Sequence, residues 1–230
     1  MTKPQEYLKL AYEKLKSARG QIKEAYEDMV IRLAVAAEYK DPSTGGHIRR
    51  VGDYSAAIAK SLGLPEEEVS VIRYASMMHD IGKIGIPESI LDKKGPLTAD
   101  ERREMNKHTQ IGYSIFKGSK FPLVEASAQI ALSHHEKYDG TGYPKGLKGD
   151  NIPLYGRIVS VADYFDAFVS ERCYKSANSF EDAILELEHK ASTFFDPKVV
   201  IAFLKVKDTV KKILNANLVI EDFVKNGKAE

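Results

Sequence analysis

The sequence predicts an all-α protein: a helical, bundle-like domain with an N-terminal helical arm and one short β-hairpin near residues 146–156. Three observations carry this expectation. Apolar residues recur at three- and four-residue intervals through most of the 230 residues. Pro, Gly and acidic residues fall where helices start and stop. Strand-type alternation is scarce, with no internal repeat or low-complexity tract. A chain of this length has material for one substantial domain and an appended arm.

In the arm, Leu8, Leu15, Ile22 and Met29 fall seven apart, with Tyr12, Tyr26 and Leu33 at the matching heptad positions and Arg19 and Gly20 interrupting the seam. Two readings stay open: a coiled-coil or signalling helix that pairs with a second copy, or a terminal helix lying on its own domain. DPSTGG (41–46) then breaks the chain, after which Ile48, Val51, Ile58 and Leu62 mark one face of a helix closed by Gly63. Pro65 with Glu66, Glu67 and Glu68 makes the acidic first turn of the next helix, where negative charge meets the positive end of the helix dipole; it runs through Val71, Ile72 and Ala75 toward His79. Thr98-Ala99-Asp100-Glu101 fits a capping box, opening a helix with Met105, His108 and Ile115 on one side. Two more helices are expected, from about Pro122 to Glu136 and from about Tyr155 to Ser170, and GLKGDNIPLYG (146–156) between them has the turn residues for the hairpin.

Composition excludes several classes. With 34 Lys and Arg against 33 Asp and Glu, a net charge of +1, 43% hydrophobic and 29% charged residues, the chain has a soluble globular composition and not that of a general DNA, RNA or membrane-surface binder. The single cysteine, Cys173, excludes an internal disulfide and a thiolate zinc site, so any metal must be held by nitrogen and oxygen. The N-terminal segment lacks the apolar core of a signal peptide, and no stretch approaches the ~18 apolar residues of a membrane span. A cytoplasmic protein is expected.

The six histidines concentrate the chemistry. His47 shares a helix face with Val51, Tyr54 and Ile58; His79 ends an apolar helix with Asp80 directly after it; His108 sits on the inward side of its helix; His135 keeps helical spacing with Val124, Ala128 and Ala131, with His134 beside it at the helix end. Asp163 and Asp166 are three apart on a helix whose apolar residues include Ile158, Ala162, Phe165 and Val169. Burying that many polar groups unpaired would cost several kcal/mol each, and a metal cluster removes the problem. Imidazole and carboxylate ligands suit iron, manganese, nickel, cobalt or zinc without choosing among them. The ligands are too many for one tetrahedral ion, so two metals or more are expected, with Asp80 the natural bridge. Two such ions turn water into hydroxide at neutral pH and stabilise charge in hydrolysis at phosphorus, and Lys83, one helical turn beyond His79, could reach a phosphate oxygen.

Taken together, a histidine at 47, HDIGKIGIP (79–87), His108, HHEKYDGTGYP (134–144) and VADYFDAF (161–168) resemble, in this order, the HD-GYP subgroup of the HD-domain phosphohydrolases. The resemblance covers about residues 31–205 and implies the HD-domain bundle there, leaving 1–30 as the arm and 206–230 as a C-terminal helical extension. It implies hydrolysis of the bacterial second messenger cyclic di-GMP to pGpG, and often onward to GMP, on a two- or three-iron centre, or on manganese.

The resemblance also implies His47, His79, Asp80 and Asp163 as the basic ligand set, His108, His134 and His135 as the additional ligands of the subgroup, and Glu38, nine residues before His47, as the glutamate of three-metal members. Lys83 matches the phosphate-contacting lysine, Tyr143 the loop that names the family, and Arg172 and Lys175 the basic pair that meets the substrate beyond the metals. Asp166 is expected to orient a water or a nearby lysine. Cys173 stands where a proline is common, which bears on the rigidity of the loop near Arg172. A catalytically impaired module that binds a cyclic dinucleotide or a partner protein is a rival of another class, and a phosphodiesterase for another cyclic dinucleotide, such as cyclic GMP-AMP, is a third reading. Partners expected besides the substrate are a second copy through the N-terminal helix and an upstream sensor or receiver domain, or a diguanylate cyclase.

Overall fold

The computed structural model describes the backbone of residues 3–38, 46–170 and 178–226, and the side chains within 4–37, 46–170 and 178–216. In chain order the helices are α1 (Lys3–Glu38), α2 (His47–Ser61), α3 (Glu66–Ser76), α4 (Glu88–Leu91), α5 (Ala99–Asn106), α6 (His108–Phe116), α7 (Pro122–Ser133), α8 (Leu154–Val169), α9 (Phe180–His189), α10 (Pro197–Lys205) and α11 (Lys207–Asn226). Local chemistry sets their ends. The capping box is present, with the Glu101 amide donating to Thr98 Oγ1 at 3.2 Å and the Thr98 amide to Glu101 Oε2 at 2.7 Å. Asp196 accepts from the Lys198 amide ahead of Pro197, and Ser179 from that of Asp182, opening α10 and α9.

The core forms around α8. Its Ile158, Ala162 and Phe165 are fully buried, as are Tyr54 and Ile58 of α2, Ile72 of α3, Ile130 of α7 and Phe203 of α10. The Phe165 ring stands edge-on to Tyr54 at 5.4 Å and tilted against Phe203 at 4.9 Å. Burying each such large side chain stabilises the fold by about 1.5–3 kcal/mol. Because α2, α3, α7 and α8 pack side by side in this core, the inner face of α8 and the ends of α3, α6 and α7 come together at one place, where the site lies.

Helix α1 is different. Residues 4–26 are all exposed, and burial begins at Val30 and Ala34, where Tyr74 of α3 donates to Glu27 at 3.0 Å. At the other end of the chain, Val210 and Leu214 of α11 are buried in the core.

Two expectations are corrected. Residues 146–156 form no hairpin: Gly149–Asn151 is a 3₁₀ turn. The reason lies in where the amides go, since Gly149 donates to Tyr138 and Asn151 and Ile152 donate within the turn, leaving no cross-strand ladder before Pro153 starts α8. The helix expected to carry Met105, His108 and Ile115 on one side is two helices, broken at Lys107. There the backbone tightens, with Lys107 N–H donating to Glu104, and the His108 ring takes the Met105 carbonyl. His108 is thereby turned inward while Ile115 is half exposed.

Candidate metal centre

Helix termini deliver most of the candidate ligands. His47 is the first residue of α2 and His108 the first of α6; His134 caps the C-terminus of α7, with His135 just beyond; His79 and Asp80 lie between α3 and the 3₁₀ turn Ile81–Gly85; Asp163 projects from the middle of α8. Gly82 allows the convergence. A Cβ there would lie 1.9 Å from the His108 carbonyl oxygen and 2.5 Å from the Gly112 amide nitrogen, so only a bare backbone lets the turn after Asp80 press against α6.

The residues meet as two groups, Asp80 with His108, His134 and His135, and His47 with His79 and Asp163; within each, one ligand atom per residue lies within 4.8 Å of all the others. Asp80 joins them. Its Oδ1 is 3.3 Å from His108 Nε2 and 3.6 Å from His134 Nε2, and its Oδ2 is 3.4 Å from His79 Nε2. Asp163 Oδ1 lies 3.4 Å from His47 Nε2 and 3.7 Å from His79 Nε2.

The donor chemistry fits cations. The His79, His108 and His134 Nδ1 atoms bond the carbonyls of Ser76, Met105 and Ile130 at 2.8, 2.8 and 3.0 Å. A carbonyl only accepts, so each Nδ1 carries the hydrogen and each Nε2 is left as the inward-facing donor atom. Among the described residues these three Nε2 atoms and Asp80 Oδ1 are buried without a hydrogen-bond partner. Such orphaned atoms are costly. Spacings of 3.3–3.7 Å are close to those of ligand atoms that share one cation at roughly 2.0–2.2 Å. This His/Asp cluster could therefore hold metal.

Electrostatics agree. Burial pushes His79 down, but Asp80 and Asp163 more than reverse this and raise it to about 9: the carboxylates demand positive charge beside them, from a proton or a cation. Burial, with His134 as neighbour, lowers His108 to about 4 and His135 well below the ordinary imidazole value, so these two rings stay neutral and able to offer a lone pair. Burial raises Asp80, yet Lys83 and His79 hold its carboxyl well below the usual range.

Around the cluster, Lys83 Nζ reaches Asp80 Oδ2 at 2.8 Å. The Tyr143 ring stacks on His135, 4.8 Å between centroids at 27°, and its hydroxyl is raised by burial and by Asp80 and Asp163. The Asp166 oxygens are turned to His47 Nδ1 at 2.7 Å and to Arg50 Nε at 2.7 Å. Glu38 ends α1 with its side chain outside the described residues, and Arg172, Cys173 and Lys175 lie outside them as well. The sequence reading missed two residues. Arg50, three beyond His47 on the same apolar face, is 1% exposed, and Glu136, the residue after the histidine pair, is 2% exposed. A charged residue among inward-facing neighbours was the available signal for Arg50; for Glu136 the helix spacing carried none, because α7 has already ended.

Residues 32–199 match the family model described as HD domain. The chain is 42% identical over 201 residues to the cyclic di-GMP phosphodiesterase response regulator RpfG of Xanthomonas campestris, covering 87% of this chain and 53% of that protein. It is 45% identical over 192 residues to a cyclic di-GMP phosphodiesterase of Thermotoga maritima, covering 82% and 52%. The chain thus spans about half the length of these curated relatives. Among solved structures, a cyclic GMP-AMP specific phosphodiesterase of Vibrio cholerae shares the fold with a TM-score of 0.58 at 24% identity, over 82% of this chain and 53% of that one.

Proposed function

This chain belongs to the HD-domain family, and within it to the HD-GYP type, and from that premise we propose that it is a metal-dependent phosphodiesterase hydrolysing cyclic di-GMP to pGpG, GMP or both. One observation carries the reading: Asp80 sets Oδ1 beside the Nε2 atoms of His108 and His134 and Oδ2 beside that of His79, and among the described residues none of these three Nε2 atoms has a hydrogen-bond partner. The ligands are His47, His79, Asp80, His108, His134, His135 and Asp163, joined by Glu38 for a third ion, with iron the favoured metal and manganese the alternative. Bound there, divalent cations supply Lewis-acid charge and an acidified water.

The protein's own residues do the rest. Lys83, already beside Asp80, offers its ammonium to a phosphate oxygen. Tyr143 walls the nucleotide side of the centre over His135. Arg172 and Lys175 grip the substrate beyond the metals, and Asp166 is a positioning residue that holds His47. The test is to load the purified protein with Fe(II) or Mn(II) under reducing, anaerobic conditions, add cyclic di-GMP and separate the nucleotides. Appearance of pGpG or GMP supports the reading. Intact substrate in a fully metal-loaded protein overturns it, and preferential cleavage of cyclic GMP-AMP moves the specificity to that substrate.

No helix among the described residues is long and apolar enough to cross a membrane; a cytoplasmic placement is part of the proposal. The division into an arm (1–30), a catalytic domain (31–205) and a C-terminal extension (206–230) is part of the same proposal. The arm pairs with a second copy of the chain. Leu8, Tyr12, Leu15, Ile22, Met29 and Leu33 are each more than half exposed along the heptad seam, and Tyr26 is 38% exposed. Lys9, Lys16 and Lys23 flank one side of that seam and Ala11, Ala18 and Ala25 the other. Two parallel copies set lysine against alanine; antiparallel copies would set lysine against lysine. A parallel pair carries both N-termini together, toward a shared upstream sensor or receiver domain or a diguanylate cyclase partner.

A further inference from the structure

We infer that Glu136 is a positioning residue of the nucleotide site: its carboxylate folds the 140–147 loop back over the metal centre and so sets Tyr143 against His135. The inference rests on the phosphodiesterase reading and deepens it. Glu136 directly follows the histidine pair, and both of its oxygens are occupied by the loop's backbone. Lys145 N–H donates to Oε1 at 2.8 Å and Leu147 N–H donates to Oε2 at 2.9 Å. One buried carboxylate therefore holds the far limb of the loop at two points, on either side of Gly146.

The near limb returns to Glu136 and its two neighbours, His135 and Lys137. Tyr143 N–H donates to the His135 carbonyl at 3.2 Å. Gly142 runs so close that a Cβ on it would lie 2.2 Å from the Lys137 amide nitrogen and 2.6 Å from the Glu136 carbonyl carbon. Asp139 fastens the turn that leads into the near limb, accepting from the Thr141 amide at 2.8 Å and from its hydroxyl at 2.7 Å. The loop thus closes on residues 135–137, from which it departs, and Tyr143 is the side chain left over the ligands, stacked on His135 and 6.5 Å from the His108 ring. The Lys145 and Leu147 amides have no other acceptor among the described residues, so losing the carboxylate frees the far limb. Glu136 touches no reacting atom; it acts through Tyr143.

The experiment compares the whole chain with Glu136→Ala and Glu136→Gln, each loaded with Mn(II), reading metal content, steady-state kinetics on cyclic di-GMP and backbone amide exchange. For Glu136→Ala the expected result is unchanged metal content, a KM raised roughly tenfold with a smaller change in kcat, and faster exchange across 140–147 while 122–133 stays slow. Glu136→Gln, which keeps one acceptor oxygen, falls between. Tyr143→Ala added to Glu136→Ala raises KM no further, because the two act as one unit. Faster loop exchange with KM unchanged, or loss of metal, overturns the inference. Absence of cyclic di-GMP hydrolysis by the unaltered protein would count against the proposed function alone. The loop is then judged from exchange and from calorimetric binding of the nucleotide, and exchange unaltered in Glu136→Ala overturns it.

Discussion

Asp166 Oδ2 lies 2.7 Å from His47 Nδ1, and the other nitrogen of that ring faces Asp163 at 3.4 Å. A carboxylate on Nδ1 fixes the ring's tautomer and turns the Nε2 lone pair toward the cluster. Arg50 braces the carboxylate in turn, with Nε 2.7 Å from Oδ1 and Nη2 3.1 Å from Oδ2. Asp166→Asn should therefore weaken metal binding at the group of His47, His79 and Asp163 by about 10–100-fold, read by metal titration of the purified variant. Wild-type affinity in this variant would remove Asp166 from any positioning role.

The same contact predicts how stability depends on pH. Burial raises the Asp166 carboxyl, but His47 and Arg50 outweigh it and hold it below 3.8. A folded pKa beneath the unfolded one contributes stability that is present above the unfolded value and is lost as pH falls through the folded value. At pH 7 Asp166→Asn removes the buried carboxylate that Arg50 and His47 share, an expected loss of about 3–5 kcal/mol in urea unfolding. That gap should narrow progressively below about pH 4. An equal gap at pH 7 and pH 3 would contradict the assignment.

Lys83 stands 2.8 Å from Asp80 Oδ2, close enough to neutralise the carboxylate that joins the two groups, and on the proposed function it meets a substrate oxygen. Lys83→Ala removes a cation and no ligand. The expected outcome is kcat lowered roughly 100-fold with metal content retained. Lys83→Arg should restore only part of it, since a planar fork does not replace a compact ammonium. Metal lost in step with kcat would mean that Lys83 serves the cluster and not the phosphate.

The sequence made the site more legible than the shape of the chain around it. His47, His79, Asp80, His108, His134, His135 and Asp163 come together in the structure because polar groups on apolar faces have few physical outcomes, and mutual ligation is one. What spacing could not foresee were the backbone departures that aim them. The break at Lys107 is one, where the Lys107 amide turns back to Glu104 and the His108 ring takes the Met105 carbonyl. The absence of a hairpin at 146–156 depends on Tyr138, whose carbonyl takes the Gly149 amide while its own amide donates to Phe194, a residue far along the chain. Arg50 and Glu136 escaped notice for a related reason: each answers a partner distant in sequence or a loop backbone, and helical periodicity registers neither.

Metal binding should release a proton from His79. With Asp80 and Asp163 beside it, this imidazole rises to about 9, so in protein stripped of metal it is protonated at pH 7.5, whereas His108, at about 4, is already neutral. A cation taking Nε2 must displace that proton. Calorimetric titration with Mn(II) in buffers of different ionisation enthalpy should therefore show about one proton released at pH 7.5, falling toward none above pH 9. Apparent metal affinity should rise with pH over the same interval. Proton release independent of pH between 7 and 10 would show that His79 is not the displaced site.

The arm offers the last test, of assembly and of direction together. The seam from Leu8 to Leu33 spans between three and four heptads, enough for a two-stranded coil to persist. Sedimentation of the whole chain at tens of micromolar should show a dimer, and Leu15→Glu with Ile22→Glu should give a monomer that still binds metal, since both residues are about 70% exposed and contribute nothing to the core. Direction follows from one cysteine. In a Cys173→Ser background, Tyr12→Cys lies opposite its own copy only if the helices run parallel and in register, so oxidation should link the dimer covalently. A monomeric wild-type chain would end the pairing proposal, and a dimer that Tyr12→Cys cannot link would reverse its direction.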